Sequence, residues 1–309
     1  MGVFVFLPLV LPLSAWPVAR LAENRLHPRT ATRLLTSVAV VMAVCSTLCL
    51  ALLMVVGTAQ LPGNPLPDGW SDPEVRAAVP HDEVAGRAAI PALAVVAAAC
   101  ARTLARHRRV TRRAHRALAG TPGATVAVLP DSTPYAYALP GGRGRIVVST
   151  ALLAGLAPAE RRALFAHERA HLRARHHRHL LAAHLAARAN PFLRPLRTAV
   201  VYTAERWADE EAARAVGDRR TVAHAIGKAA LLSPPTPAPT LPALAGTGPV
   251  PRRVAALLAP APVARTWPSA FTSVGLAVWG AAAGALVSAM SSANSAVTLF
   301  LVLHAATPL

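Results

Sequence analysis

The sequence predicts a mainly α, polytopic membrane protein in which a helical domain with a small antiparallel β-sheet is set between apolar spans. Two observations carry this prediction. Of 309 residues, 54% are apolar but only 5% aromatic, and the mean hydropathy is +0.41, so the apolar surplus lies in long Ala/Leu/Val blocks of membrane-span length. Between those blocks the pattern changes to short β-like runs and then to helical stretches, with half of the 12 histidines falling between His167 and His184.

Taken in order, Gly2 to Ala19 is an apolar run long enough to span, although Pro8, Pro12 and Pro17 bend it. It lacks a basic region ahead of it and a small-residue cleavage site behind it, so a retained anchor is expected rather than a signal peptide. Leu34 to Val56 is uncharged throughout and reads as a span. Val84 to Leu104, interrupted by Arg87 and Pro91, reads as a third span, with a buried soluble helix as the alternative. The expected organisation is a membrane region over 1–105 with an external loop at 57–86, a second domain over 106–268, and a C-terminal transmembrane segment over 269–309. In that last segment one span to about Met290 is expected, and Ser291 to Ser295 leaves open whether the chain crosses once or twice.

The middle of the chain reads as strands at Thr125 to Leu129, Tyr135 to Leu139 and Arg145 to Ser149, with a turn at Gly141 to Gly144. A helix from about Ala159 through Arg178 follows, with Pro158 at its first turn, and another over Leu196 to Val216. Seven prolines between Ser233 and Pro251 exclude regular structure there, and a short helix at Arg252 to Leu258 follows.

The formal charge of +18 raises nucleic-acid binding as a rival, but Lys228 is the only lysine among the 32 basic residues and no basic–aromatic stacking pattern accompanies the arginines. No nucleic-acid partner is expected. Many arginines flank spans instead. Residues 20–33 carry Arg20, Arg25, Arg29 and Arg33, whereas residues 57–83 carry Arg76 against Asp68, Asp72, Glu74, Asp82 and Glu83. The run from Arg102 to Arg116 then has no acid before Asp131, which predicts that the following domain faces the cytoplasm. That run is a candidate contact for anionic lipid headgroups, or simply a solvated helix face. Cys45, Cys49 and Cys100 all fall in apolar segments and read as small hydrophobes.

Chemistry is carried by His167-Glu168-Arg169-Ala170-His171, an HExxH sequence. Positions four apart share a helix face, so both imidazoles can reach one Zn²⁺, while Glu168 can serve as general base without being a ligand. Two third ligands compete. His177 stands where the extended HExxHxxGxxH pattern puts its last histidine, but Ala174 replaces the turning glycine and no Met-turn follows. Glu205, on a separate helix, is the expected ligand, and Asp209 one turn later is suited to accept the free N–H of a ligating histidine. His176, His179 and His184 are expected at the surface or beside the membrane. Tyr202, His224 and Arg252 are candidates to stabilise an oxyanion.

These residues resemble the membrane zinc metallopeptidases of the beta-lactam-sensing receptor (BlaR/MecR) type, related to the heat-shock protease HtpX and the CAAX prenyl proteases. The shared features are Arg145 to Ser149, His167 to His171, Asn190-Pro191-Phe192, Glu205 to Asp209 and Arg253 to Leu257, covering about residues 120–260 with the flanking spans. The resemblance implies a gluzincin fold, one Zn²⁺ per chain, a protein or peptide substrate, and an active site facing the cytoplasm of a bacterial cell membrane. It also implies that the strand carrying Tyr135, Ala136, Tyr137 and Ala138 pairs with an extended peptide. Receptor members place a penicillin-binding sensor after the last span, and no such segment is expected before Leu309. The rival to an endopeptidase is a metal-binding membrane scaffold without proteolysis.

Overall fold

A computed structural model of the chain describes residues 6–63, 66–71, 82–121, 125–142, 144–232, 249–262 and 271–305. Most of the proline-rich stretch 233–251, part of the loop 57–86 expected to be external, and Arg143 of the glycine turn lie outside the described residues.

The first apolar run does not form one spanning helix. It folds as α1 (Leu7–Val10), a 3₁₀ turn (Leu11–Ser14) and α2 (Ala15–Arg25), because Pro8 and Pro12 each withdraw a backbone donor from the helical ladder. α3 (Pro28–Ala59) then starts at a proline in its first turn, with the His27 ring accepting the Arg29 N–H at 3.3 Å. α4 (Asp82–Ala117) carries Pro91 within it and continues past the apolar part into the arginine-rich stretch. Among the described residues three helices are long and apolar enough to cross a membrane: α3, α4 from Val84, and α11 (Ser273–Ala305) from Val278. The last apolar block is thus one continuous helix through Ser291 to Ser295, not a span followed by a break.

The sheet is mixed rather than antiparallel, which corrects the expectation above. Its order is β1 (Val126–Leu129), β3 (Arg145–Ser149), β2 (Ala136–Leu139), with β1 parallel and β2 antiparallel to β3. The glycine-turn hairpin supplies the antiparallel pair, while β1 enters on the other side of β3 and leaves β2 at the edge. In the β2–β3 ladder Ser149 N–H donates to the Tyr135 carbonyl at 3.0 Å. By the two-residue alternation of antiparallel pairing, Tyr137 and Leu139 also face β3, so the backbone groups of Ala136 and Ala138 face away along the free edge.

After β3 come α5 (Thr150–Gly155), α6 (Pro158–Arg173), α7 (His176–Ala189), α8 (Arg194–Val216), α9 (Arg219–Leu232) and α10 (Val250–Leu258). The long helix expected through Arg178 is two helices. Arg175 adopts the left-handed conformation at φ 54°, which a non-glycine residue enters at a cost of about 1–2 kcal/mol. Burial of the next residue, His176, offsets that cost.

The helices after the sheet are not a separate lobe from the membrane-length helices. Leu35, Ala39 and Met42 of α3 share one buried core with Ala183 and Ala186 of α7 and with Leu196, Ala199 and Val200 of α8. Two buried polar contacts pin the same junction, Thr32 Oγ to Thr203 Oγ at 3.0 Å and Asn190 Nδ2 to Ser46 Oγ at 3.0 Å.

α3 and α4 meet backbone to backbone at Gly57 and Gly86, where a Cβ on Gly86 would lie 2.7 Å from the Gly57 Cα. Gly57→Ala should therefore force the pair apart and destabilise the detergent-solubilised protein by about 1–3 kcal/mol. Gly280→Ala, which meets no neighbour within 4 Å, should be neutral or slightly stabilising, and thermal melts of the two variants check the contrast.

Candidate metal centre

Two helices with different local origins converge on the site. α6 starts because Pro158 fills its first turn and Glu160 accepts the Ala157 backbone N–H at 2.7 Å, while Lys228 of α9 holds the same carboxylate at 3.1 Å. Nine residues on, His167 and His171 stand one turn apart on the face that meets α8. α8 is launched by Asn190, whose side chain accepts the Phe192 N–H at 3.0 Å, and it presents Glu205 and then Asp209 one turn later.

The donor atoms close together. His167 Nε2 and His171 Nε2 are 3.0 Å apart, with Glu205 Oε2 3.5 Å from the His167 nitrogen and Glu205 Oε1 3.5 Å from the His171 nitrogen. Donors about 2 Å from a tetrahedral zinc are separated by roughly 3.3 Å along each edge, so these separations are those of neighbouring donors in such a site. The residues fit the metal they were expected to hold. Among the described residues this is the group of histidines and acids whose donor atoms all lie within 4.8 Å. His177, the competing ligand, is not part of it.

Further contacts orient the donors. Asp209, with no exposed surface, sits 3.0 Å from His167 Nδ1, which favours the tautomer that leaves Nε2 free for a metal. Arg253 of α10 reaches in from a third helix and grips Asp209 with two donors, Nη2 at 2.6 Å and Nε at 2.9 Å, while its Nη1 lies 3.0 Å from Glu205 Oε2. His171 is held by His176, the two Nδ1 atoms being 2.9 Å apart, and the His176 ring packs against Trp207 with centroids 4.7 Å apart. For His171 to bind a metal through Nε2, its Nδ1–H must donate to His176 Nδ1, which places the His176 proton on the buried Nε2.

Electrostatics follow burial and these partners. Burial opposes charge on Glu205 and Asp209, yet Arg253 and the histidines outweigh it and hold both carboxyls below their usual range. The same carboxylates raise Arg253. For His167, burial again works against the charge, but Asp209 and Glu205 raise it to about 10 in the absence of metal, whereas burial takes His171 down to about 4. A divalent ion replaces the proton on such a ring. Burial pushes Glu168 up to about 7, and the Ala138 N–H on the free edge of β2 donates to its carboxylate.

A cavity of about 270 Å³ joins these groups, with Glu168, Glu205 and both ligand rings along one wall and Ala136, Tyr137 and Ala138 along another. None of the oxyanion candidates lines it. Arg252 stacks over the Tyr202 ring at 4.2 Å and reaches Glu23 at 3.3 Å, and His224 is exposed. The histidines expected at the surface also differ. His176 is completely buried, His184 is buried against the cavity and His179 is half-buried beside Trp207. A run of histidines among arginines resembles a solvated face, and the left-handed turn at Arg175 that folds them inward leaves no residue-type signature. The role of Arg253 was also missed, although its position four residues before the buried Leu257, on the apolar face of α10, marks a charge that must be paired inside.

Residues 101–188 match the family model described as Peptidase family M48, a match that supports a metallopeptidase. It runs from the arginine-rich part of α4 through the sheet, α6 and α7, and stops before Glu205. Comparisons with curated proteins and with solved structures each gave no match.

Two outcomes follow. His176→Ala should weaken zinc binding by about 10–100-fold, measured by competition with a chromophoric chelator. Arg253→Met should leave Glu205 and Asp209 as uncompensated buried charges and cost about 3–5 kcal/mol of stability in metal-free protein, with part of that loss recovered when zinc is added.

Proposed function

We propose that the protein is a membrane-embedded zinc metalloendopeptidase that hydrolyses peptide bonds of a protein substrate at the cytoplasmic face of a bacterial cell membrane. The observation that supports this most directly is the convergence of His167, His171 and Glu205 beside Glu168 and the free edge of β2. The match to family M48 supports the reaction class, and the resemblance at the two metal motifs extends it toward the beta-lactam-sensor type.

In this reading His167, His171 and Glu205 hold one zinc ion, and Asp209 and His176 fix the rings that do so. Zinc, when bound, polarises a carbonyl and acidifies water. An extended peptide pairs with the outward N–H and C=O groups of Ala136 and with the C=O of Ala138, which carries its scissile bond past Glu168. The Glu168 carboxylate takes a proton from the attacking water and delivers it to the leaving amine nitrogen, a task suited to a carboxyl whose affinity for protons has been raised by burial. The hydrogen bond from Ala138 to Glu168 ties the base to the strand that positions the substrate.

Orientation rests on the arginine asymmetry. α4 leaves its apolar part directly into Arg102 to Arg116 and then into the catalytic domain, so this end of the helix lies on the cytoplasmic side. The organisation that follows is a membrane region to about residue 105, a catalytic domain to about 268 and a C-terminal span.

Glu168→Gln should keep zinc at one ion per chain and lower hydrolysis by about 10²–10⁴-fold. Cleavage profiling of membranes that carry the wild-type or the Glu168→Gln protein would reveal substrates as differences between the two. Stoichiometric zinc in both proteins with identical profiles would point to the metal-binding scaffold instead.

A further inference from the structure

The cavity extends beyond the metal centre. Its far end is walled by α4 through Thr103 and His107 and by α7 through His177 and His184. Nothing in the hydrolytic scheme uses these side chains.

This end carries positive charge without a counter-charge. Residues 84–130 and 169–204, which include the whole of α7 and all of α4 from Val84, contain no Asp or Glu. Arg106, Arg188 and Arg197 all act on His184, and none of them forms an ion pair among the described residues. Arg197 Nε is buried with no hydrogen-bond partner among those residues. Burial first, and then the three arginines, take His184 down to about 4, so its ring is neutral.

The histidines are also oriented. Nδ1 of His107 and Nδ1 of His184 are both buried without a partner, and His184 is only 9% exposed. Burying a bare lone pair costs less than burying an N–H with no acceptor, so each ring keeps its proton on Nε2, the nitrogen left to face the cavity. The far end therefore offers neutral N–H donors inside a positive field. That combination selects an acceptor carrying negative charge.

We propose that this end of the cavity is a carboxylate-binding subsite, in which His107 and His184 donate to an acidic group of the substrate peptide lying a few residues from the scissile bond. The proposal rests on the peptidase reading given above. A peptide is favoured over a lipid headgroup because the imidazoles line the same cavity as the metal-binding side chains and Glu168. The carboxylate can come from an Asp or Glu side chain or from the peptide's own C-terminus.

The test uses the full-length, zinc-loaded protein in detergent with a proteome-derived peptide library, supplied once as free acids and once C-terminally amidated. Cleavage sites are read by mass spectrometry for the wild type and for the His107→Leu/His184→Leu double variant. The expected wild-type profile is enriched in an acid at one fixed distance on one side of the cleaved bond. An enrichment that survives amidation identifies a side chain, and one that vanishes identifies the C-terminus. In the double variant, the preference for an acidic peptide over its amide counterpart should fall by about a hundredfold, the equivalent of two hydrogen bonds to a charged group at about tenfold each. His184→Gln, which restores a donor, should recover part of it.

Cleavage by both proteins with the same acid-independent profile would overturn the subsite and leave the peptidase intact. Zinc-loaded wild type that cleaves nothing would remove the peptidase reading and the subsite together. A double variant that keeps its cleavage profile but loses affinity for vesicles of phosphatidylglycerol would assign these histidines to lipid headgroups and would also overturn the proposal.

Discussion

A buried cluster of opposite charges governs this structure. Glu205 and Asp209 stand on one face of a helix in which 13 of the 23 residues are buried, and neither carboxylate tolerates that position without cationic partners. Arg253 supplies them from a third helix, bidentate on Asp209 and within reach of Glu205, so α6, α8 and α10 are held at a common point. The geometry of the two imidazoles is a consequence. His167 is turned by Asp209 and His171 by His176, which leaves both Nε2 atoms directed at the gap in front of Glu205.

That cluster is built against the membrane helices rather than beside them. α8, which carries Glu205 and Asp209, packs through Leu196, Ala199 and Val200 into the core that includes Leu35 and Met42 of α3. Thr32 and Thr203, and Ser46 and Asn190, add buried hydrogen bonds across the same boundary. The cavity in turn borrows part of its wall from α4, the second membrane-length helix. In the proposed function a substrate at Glu168 therefore lies close to the bilayer surface, which fits the arginine-rich flank of α4 and the acid-free α7.

Where the candidate site depends on local spacing, its residues were legible in the sequence. The four-residue interval from His167 to His171 puts both rings on one helix face wherever that helix goes, and the same rule relates Glu205 to Asp209. The strands at Ala136 to Leu139 and Arg145 to Ser149 were readable from β-branched and aromatic runs around a glycine turn, whereas the parallel entry of β1 depends on a tertiary choice that no local pattern encodes. His176 and Arg253 were misread or passed over for a related reason. One is folded inward by a single left-handed residue, Arg175, and the other is one of two adjacent arginines on a short helix, with partners more than 40 residues away in the chain. The first apolar run, read as long enough to span although bent by its prolines, folds as a short helix, a 3₁₀ turn and the start of α2, its prolines removing successive donors.

The central claim is that one zinc ion is bound by two imidazoles and a carboxylate contributed by separate helices. Zinc K-edge absorption on the full-length protein in detergent tests it directly. The account predicts a first shell of nitrogen and oxygen near 2.0 Å, with the outer scattering of two imidazoles, and a loss of one imidazole contribution in His171→Ala. A sulfur-containing shell, or a zinc environment that is unchanged when His171 and Glu205 are both removed, would contradict it.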